Sequence, residues 1–367
     1  MKRLTAFFTD DLLFTVSFLI AIISCYFGAF SLKSIDFNVI FCLFGLMLFV
    51  KNIENLGILN YFAEKMIDFS ATTRSLIRNI VLLSFISSMI LTNDVAILTL
   101  MPIYLTIIKK FPAMENKIAG AVLLIVAANL GSSFFPFGNP QNLFLFSFYS
   151  LSTAQFFEWA LLLLFSSLSF LLIAFLFIKK RTIPKQNSSL PIINKKKMFF
   201  LSLTGLFILF GVFNVLPYFI VIPIAAIILT IYDKEMLRQI DYKLLWTFVF
   251  FFIAVGNFSQ VDMISTFIKE QFTSNTRTFF GSILVSQMIS NVPAAILIAP
   301  FTEQAQALFF GVNVGGLGTI IASLANLIGF KLYKEYYPAQ SKKFILQFTL
   351  INFVFLICFV LFFSFLL

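Results

Sequence analysis

The chain has 367 residues, of which 60% are hydrophobic and only 11% charged, with a formal net charge of +10 and no histidine. Soluble domains average about 45–50% apolar and about 25% charged residues, so this composition excludes a soluble protein and indicates an all-α polytopic membrane protein. The lack of histidine removes histidine metal sites, Ser-His dyads and histidine proton relays together, and Cys25, Cys42 and Cys358, without CxxC spacing, support neither a disulfide framework nor a zinc knuckle.

Lys2, Arg3, Asp10 and Asp11 precede an apolar run without a small-x-small cleavage site, which reads as a retained first helix over about Leu12 to Phe30 rather than a signal peptide. A second helix spans about Phe37 to Val50. Asn52 to Phe69 is amphipathic and is expected to lie on the membrane surface. Residues 80–108 are too long for one straight helix and carry Thr92-Asn93-Asp94 in their middle, so a re-entrant hairpin is expected. A broken helix follows over 118–149, interrupted between Gly131 and Pro140, and then a helix from Phe156 to Ile178. Residues 180–197 form a basic, proline-containing cytoplasmic linker. Beyond it come helices over Met198–Phe213, Tyr218–Tyr232 and Leu244–Val255 and a second amphipathic piece reaching Phe272. A second hairpin is expected over 279–301 around Ser290-Asn291-Val292-Pro293. The last elements are a second broken helix over 308–330, opened at Gly315 to Gly318, and a helix from Phe344 to Leu367.

With the amino terminus inside and the carboxyl terminus outside, all but three (Lys33, Lys269 and Arg277) of the 26 Lys and Arg residues fall on the cytoplasmic side. The basic balance is thus orientation charge rather than a nucleic-acid footprint. The element order of residues 1–179 recurs in residues 198–367. Asp36 corresponds to Asp241, Asn52 to Asn257, Asn93 to Asn291, Asn129 to Asn313 and Asn142 to Asn326. The helix over Met198–Phe213 is extra, and five crossings separate the start of the first helix from the start of the helix at Tyr218, so the halves point opposite ways. Such an inverted repeat permits alternating access to a site at mid-membrane.

Polar backbone breaks inside hydrocarbon are tolerated only where they line a cavity or are buried in protein. At a hairpin tip one arm leaves unpaired carbonyls and the other unpaired N–H groups. The first suit a cation and the second an anion. Thr92, Asn93 and Asp94, with Ser290, Asn291 and Val292, are therefore candidate substrate- and ion-binding residues at the tips. In the first broken helix the candidates are Asn129, Gly131, Ser132, Ser133, Gly138, Asn139, Gln141 and Asn142. In the second they are Asn313, Gly315, Gly316, Gly318 and Thr319. Asp94 is the only acid expected deep in the membrane, either as the coupling group or as a cap of the second hairpin arm. Gly311-x-x-x-Gly315 fits close helix packing as well as a site role, and Pro102 and Pro300 fit kinks better than ligands.

At these residues the chain resembles the ion transporter superfamily, the citrate-transporter-like permeases, which include divalent anion:sodium symporters, arsenite permeases and NhaD-type antiporters. The resemblance rests on Thr92-Asn93-Asp94-Val95-Ala96, Gly138-Asn139-Pro140-Gln141-Asn142, Ser290-Asn291-Val292-Pro293 and Gly311 through Thr319. It implies an elevator-type transporter, often a homodimer, whose tips and broken helices hold cation and substrate. Thr92-Asn93-Asp94 departs from the Ser-Asn-Thr of the carboxylate symporters, and no cysteine stands at a tip for arsenite. The expected function is secondary active transport of a small anion or oxyanion across the cytoplasmic membrane, coupled to H+ or Na+, with a Na+/H+ antiporter as the alternative. No cofactor is expected beyond the coupling ion. Enzyme chemistry is not expected, since there is no HExxH and no paired intramembrane Asp.

Overall fold

The computed structural model describes residues 12–29, 31–111, 114–183 and 193–367. Lys2, Arg3, Asp10, Asp11, Phe30 and residues 184–192 of the basic linker lie outside the described residues. Among the described residues the regular structure is helical apart from one isolated bridge, Thr72 to Thr182.

The first run of helices is α1 (Leu12–Ser24), α2 (Phe37–Asn55), α3 (Ile58–Asp68), α4 (Thr73–Leu91), α5 (Asn93–Lys109), α6 (Lys117–Gly131), α7 (Pro140–Phe148) and α8 (Thr153–Leu176). After α9 (Lys195–Val212), the same succession recurs as α10 (Tyr218–Tyr232), α11 (Tyr242–Phe258), α12 (Asp262–Gln271), α13 (Asn275–Ile289), α14 (Asn291–Ile298, prolonged by a 3-10 turn to Phe301), α15 (Ala305–Gly315), α16 (Leu324–Tyr336) and α17 (Ser341–Ser364). By length and composition α2, α4, α8 and α17, the last with the turn before it, can cross a membrane; the pair α11–α12, bent by 105°, adds a fifth candidate. The chain is a multi-pass membrane protein whose remaining apolar helices are shorter.

The helix starts recur with the same chemistry. Asp36 and Asp241 cap α2 and α11, each accepting a hydrogen bond from a backbone N–H three residues on, at 3.1 Å. Thr72 and Ser274 cap the first arms of the hairpins. These caps start the arms at Thr73 and Asn275, before the apolar runs at 80 and 279, because a capped polar first turn needs no apolar residue. Helix α2 passes Val50 and stops only at Asn55, where Gly57 turns the chain with φ +67° and aims the amphipathic α3 elsewhere.

The helices form two groups. In one, α1 packs on α11, α2 on α10 and α9, and α9 on α10. In the other, α4 and α5 fold against each other and against α6, and α13 and α14 do the same with α15, with α8, α16 and α17 around them. The main contacts between the groups run from α2 to α5 and α7, and from α11 to α14. Helices α6 and α15 are the centre of the second group: from Ile118 to Gly131 only Ala119 is not buried, and α15 is buried from Ala307 onward. A helix apolar on all faces belongs in such a core.

Close approach there is set by glycine. A Cβ on Gly131 would overlap the Phe85 carbonyl and Ser88 of α4, and one on Gly311 would overlap Ser282 and the Phe279 carbonyl of α13. Gly311 therefore serves helix packing. Gly311→Val is expected to lower the stability of the detergent-solubilised protein by about 1–3 kcal/mol through overpacking, measured as thermal unfolding against wild type.

Candidate functional site

The two hairpin tips share one backbone geometry. Thr92 has φ 71° and ψ 156°, and Ser290 has φ 79° and ψ 153°. This region is essentially confined to glycine, and a residue held there costs about 1–3 kcal/mol; for a β-branched threonine it is a true outlier. The strain reverses the chain in a single residue, so that α4 ends and α5 begins side by side. Thr92 is the residue before α5 and makes no side-chain cap bond. Asn93 supplies that bond instead, its Oδ1 accepting from the Asp94 N–H at 3.0 Å. Asp94 stands in the first turn of α5, its side chain making no cap, and its Oδ1 is enclosed with no hydrogen-bond partner.

Asparagines from the two halves lock the broken helices together. Asn129 at the end of α6 donates from Nδ2 to Asn326 Oδ1 of α16 at 2.7 Å. Asn313 at the end of α15 donates to Asn142 Oδ1 of α7, also at 2.7 Å. Each of these two oxygen–nitrogen pairs is filled on its other side. Asn129 Oδ1 accepts from Asn93 at 3.1 Å and from Ser323 at 2.9 Å. Asn313 Oδ1 accepts from Ser133 at 2.9 Å and Asn139 at 3.2 Å, with Gln141 at 3.4 Å. Asn142 donates to the Ser133 carbonyl, and Asn326 to the carbonyls of Gly316 and Thr319, satisfying the open backbone of each break. A buried amide left without partners costs roughly 2–7 kcal/mol, so these residues stand or fall as one network.

Eight helix ends meet at this network. α5, α7, α14 and α16 begin at Asn93, Pro140, Asn291 and Leu324, and α4, α6, α13 and α15 end at Leu91, Gly131, Ile289 and Gly315. Each amino end carries about +0.5 of a charge and each carboxyl end about −0.5. Between the tips lies a cavity of about 20 Å³ lined by Asn93, Asp94, Gln141, Ser290, Asn291 and Ser323 among others. That volume holds roughly one water or one bare ion. Among the described residues no lysine or arginine lines it. A larger cavity, about 200 Å³, begins at Thr92, Asp94 and Asn139 and reaches Lys51, Glu54, Gln239 and Asp241, with apolar walls that include Leu98, Phe137 and Ile328.

The structure thus brings Thr92, Asn93, Asp94, Asn129, Ser133, Asn139, Gln141, Asn142, Ser290, Asn291, Val292 and Asn313 to one place. Ser132 bonds Asn139 within the first break. Gly131 and Gly315 face α4 and α13, Gly138 backs onto the Ser132 carbonyl, and Gly316 leaves room for the Asn291 amide. Gly318 turns at φ +97°, and Thr319 is held by Gln287, whose Nε2 also donates to the carbonyls of Gly315 and Leu317 at 2.8 and 2.9 Å. Three further residues join the network: Gln287, Ser323 and Asn326. Asn326 was detectable as the counterpart of Asn142, and Ser323 by its place opposite Asn139. Gln287 stood out only as an amide inside an apolar arm.

Residues 6–307 match the family described as citrate transporter. An uncharacterized transporter of Methanocaldococcus jannaschii is 34% identical over 306 residues, covering 81% of each chain. The inner membrane protein YbiR of Escherichia coli is 30% identical over 334 residues, covering 89% of this chain and 88% of that one. Among solved structures, the YdaH transporter of Alcanivorax borkumensis, described as having an unusual topology, is alike in fold at a TM-score of 0.58 and 14% identity, over 89% of this chain and 84% of that one.

Thr92→Gly separates strain from function. Glycine occupies this backbone region freely, so thermal stability is expected to hold or to rise by about 0–2 kcal/mol. Loss of the hydroxyl next to the cavity is expected to weaken ligand binding by up to about tenfold, read as the ligand concentration needed for thermal stabilisation.

Proposed function

The chain belongs to the citrate transporter family, and from that premise, which makes it a membrane transporter, we propose secondary active transport of a small anion or oxyanion across the cytoplasmic membrane, coupled to H+ or Na+. One observation carries the reading. The amino ends of α5, α7, α14 and α16 line a common space beside Asp94 Oδ1, which has no partner among the described residues. Amino ends suit the anion, while a free carboxylate oxygen suits the cation. A carboxylate there can hold a proton or a metal cation in turn, which is what a coupling group has to do.

In this reading residues 1–179 and 198–367 are two inverted halves, and α4–α5 and α13–α14 are re-entrant hairpins entering from the cytoplasm and from outside. The match between the tips at Thr92 and Ser290, and between the caps Asp36 and Asp241, supports it. The group holding both hairpins and both broken helices is the moving part of an elevator, and the group of α1, α2, α9, α10 and α11 is its scaffold. Their limited mutual contacts support that division. In this reading the larger cavity, lined by Lys51 and Asp241 among others, lies on the cytoplasmic side and the conformation is inward-open, which the distribution of basic residues supports. The homodimer is carried over from the resemblance.

A Na+/H+ antiporter is the second reading, favoured by the ion-sized space between the tips and the lone carboxylate. Purified wild-type protein and Asp94→Asn in proteoliposomes distinguish the two. For an anion carrier, wild type exchanges labelled citrate or a related anion, and Asp94→Asn keeps its fold but loses about 10- to 100-fold of ion-coupled flux, the worth of one charged hydrogen bond. For a pure antiporter, wild type performs no anion exchange, and Asp94→Asn loses pH-dependent sodium flux.

A further inference from the structure

Both groups touch through α2 and through α11, but whereas α2 packs on α7, its counterpart α11 packs on α14 and among the described residues has no comparable contact with α16. Asp36, the cap of α2, accepts a hydrogen bond through Oδ2 from Ser147 of α7 at 2.8 Å, and Asn38 donates to the same Ser147 hydroxyl at 3.3 Å. These bonds join the two groups at the end of the molecule that the charge distribution places outside. Their counterparts at the opposite end are Asp241, the cap of α11, and Lys331 of α16. Lys331 follows Ser323 by as many residues as Ser147 follows Asn139, counting from the starts of α16 and α7.

There the contact is open. Asp241 faces the larger cavity, and among the described residues its side chain is bonded within its own helix start, to the Leu244 N–H. Ile328, one turn before Lys331 on α16, lines the same cavity, and Lys331 is exposed. Asp241 thus lines the cavity and Lys331 stands one turn beyond a residue that lines it, at the positions whose counterparts at the other end are bonded.

We infer that Asp241 and Lys331 are the inner gate: when the Asp36–Ser147 contact opens, α16 approaches α11 and the two charges pair, closing the cavity. The inference rests on the inverted halves of the proposed function. It adds an asymmetry to them, because an ion pair closes the inner side whereas neutral donors close the outer side. The inner closure, an ion pair, is accordingly weakened by salt, whereas the outer one, a carboxylate held by neutral donors, is far less so.

The test uses the full chain with Cys25, Cys42 and Cys358 replaced, reconstituted in vesicles given citrate with sodium or a proton gradient. Asp241→Cys/Lys331→Cys is expected to cross-link during transport and to stop it until reduced. Leu98→Cys, on the wall of the cavity, is expected to lose maleimide labelling from the cytoplasmic side once that link forms. With Asp36→Cys/Ser147→Cys linked instead, Leu98→Cys is expected to stay reactive. Asp241→Lys and Lys331→Asp alone are expected to lose transport, and the double exchange to recover it. If Leu98→Cys labelling falls during transport but the Asp241–Lys331 pair never cross-links and the double exchange recovers nothing, the gate is overturned while alternating access stands. If Leu98→Cys labelling never changes while transport proceeds, the inverted reading is overturned and the gate with it.

Discussion

A helix that stops inside an apolar surrounding leaves backbone groups that neither lipid nor hydrocarbon side chains can satisfy. This fold stops eight helices near one another, and the rest of the architecture follows from how those ends are satisfied. Asparagine is suited to the task because one short side chain donates and accepts at once. Asn129 with Asn326 and Asn313 with Asn142 each tie the carboxyl end of one half-helix to the first turn of a half-helix from the other part of the chain. The bonds therefore hold the broken helices as a unit, and the hairpins lean on that unit through Asn93 and the glycine-lined contacts of α6 and α15.

Within this frame the two tips have the same backbone but different side chains. Where the first carries Asp94, the second carries Val292. Almost every polar group around the asparagine network is paired, and the enclosed oxygen of Asp94 is the exception at the tips among the described residues. An ionisable group without a partner is costly in a buried place. Its presence beside an ion-sized cavity is more readily accounted for by a ligand than by stability. The strain at Thr92 and Ser290 points the same way, since glycine would make either turn without it.

Much of this was legible in the sequence, for a physical reason. Thr92-Asn93-Asp94 and Ser290-Asn291-Val292 stand inside apolar runs, where a polar residue is expensive enough to carry information. Gly138-Asn139-Pro140 announced the start of α7, because asparagine caps and proline fits the first turn. The bounds of the hairpin arms were not legible. Thr73 to Asn79 carries two arginines ahead of the apolar run, and it is helical because Thr72 caps it and Arg181 and Ile183 bond the backbone around it. The role of Gln287 was hidden as well. Its partners, the carbonyls of Gly315 and Leu317, are distant along the chain at a break that has no pattern of its own. Gly131 and Gly315 looked like the open backbone of a site and also turn out to be where helices come closest.

In the proposed function, cargo and coupling ion rest between the tips at Thr92–Asp94 and Ser290–Val292. The decisive measurement is an experimental density map of the protein in lipid nanodiscs, collected with and without citrate and sodium. Ligand-dependent density bounded by the two tips and by Asn139 is expected, with both hairpins turning back at mid-bilayer. Ligand density elsewhere with the space between the tips unchanged, or helices at 73–109 and 275–301 that run straight through the lipid, would contradict it.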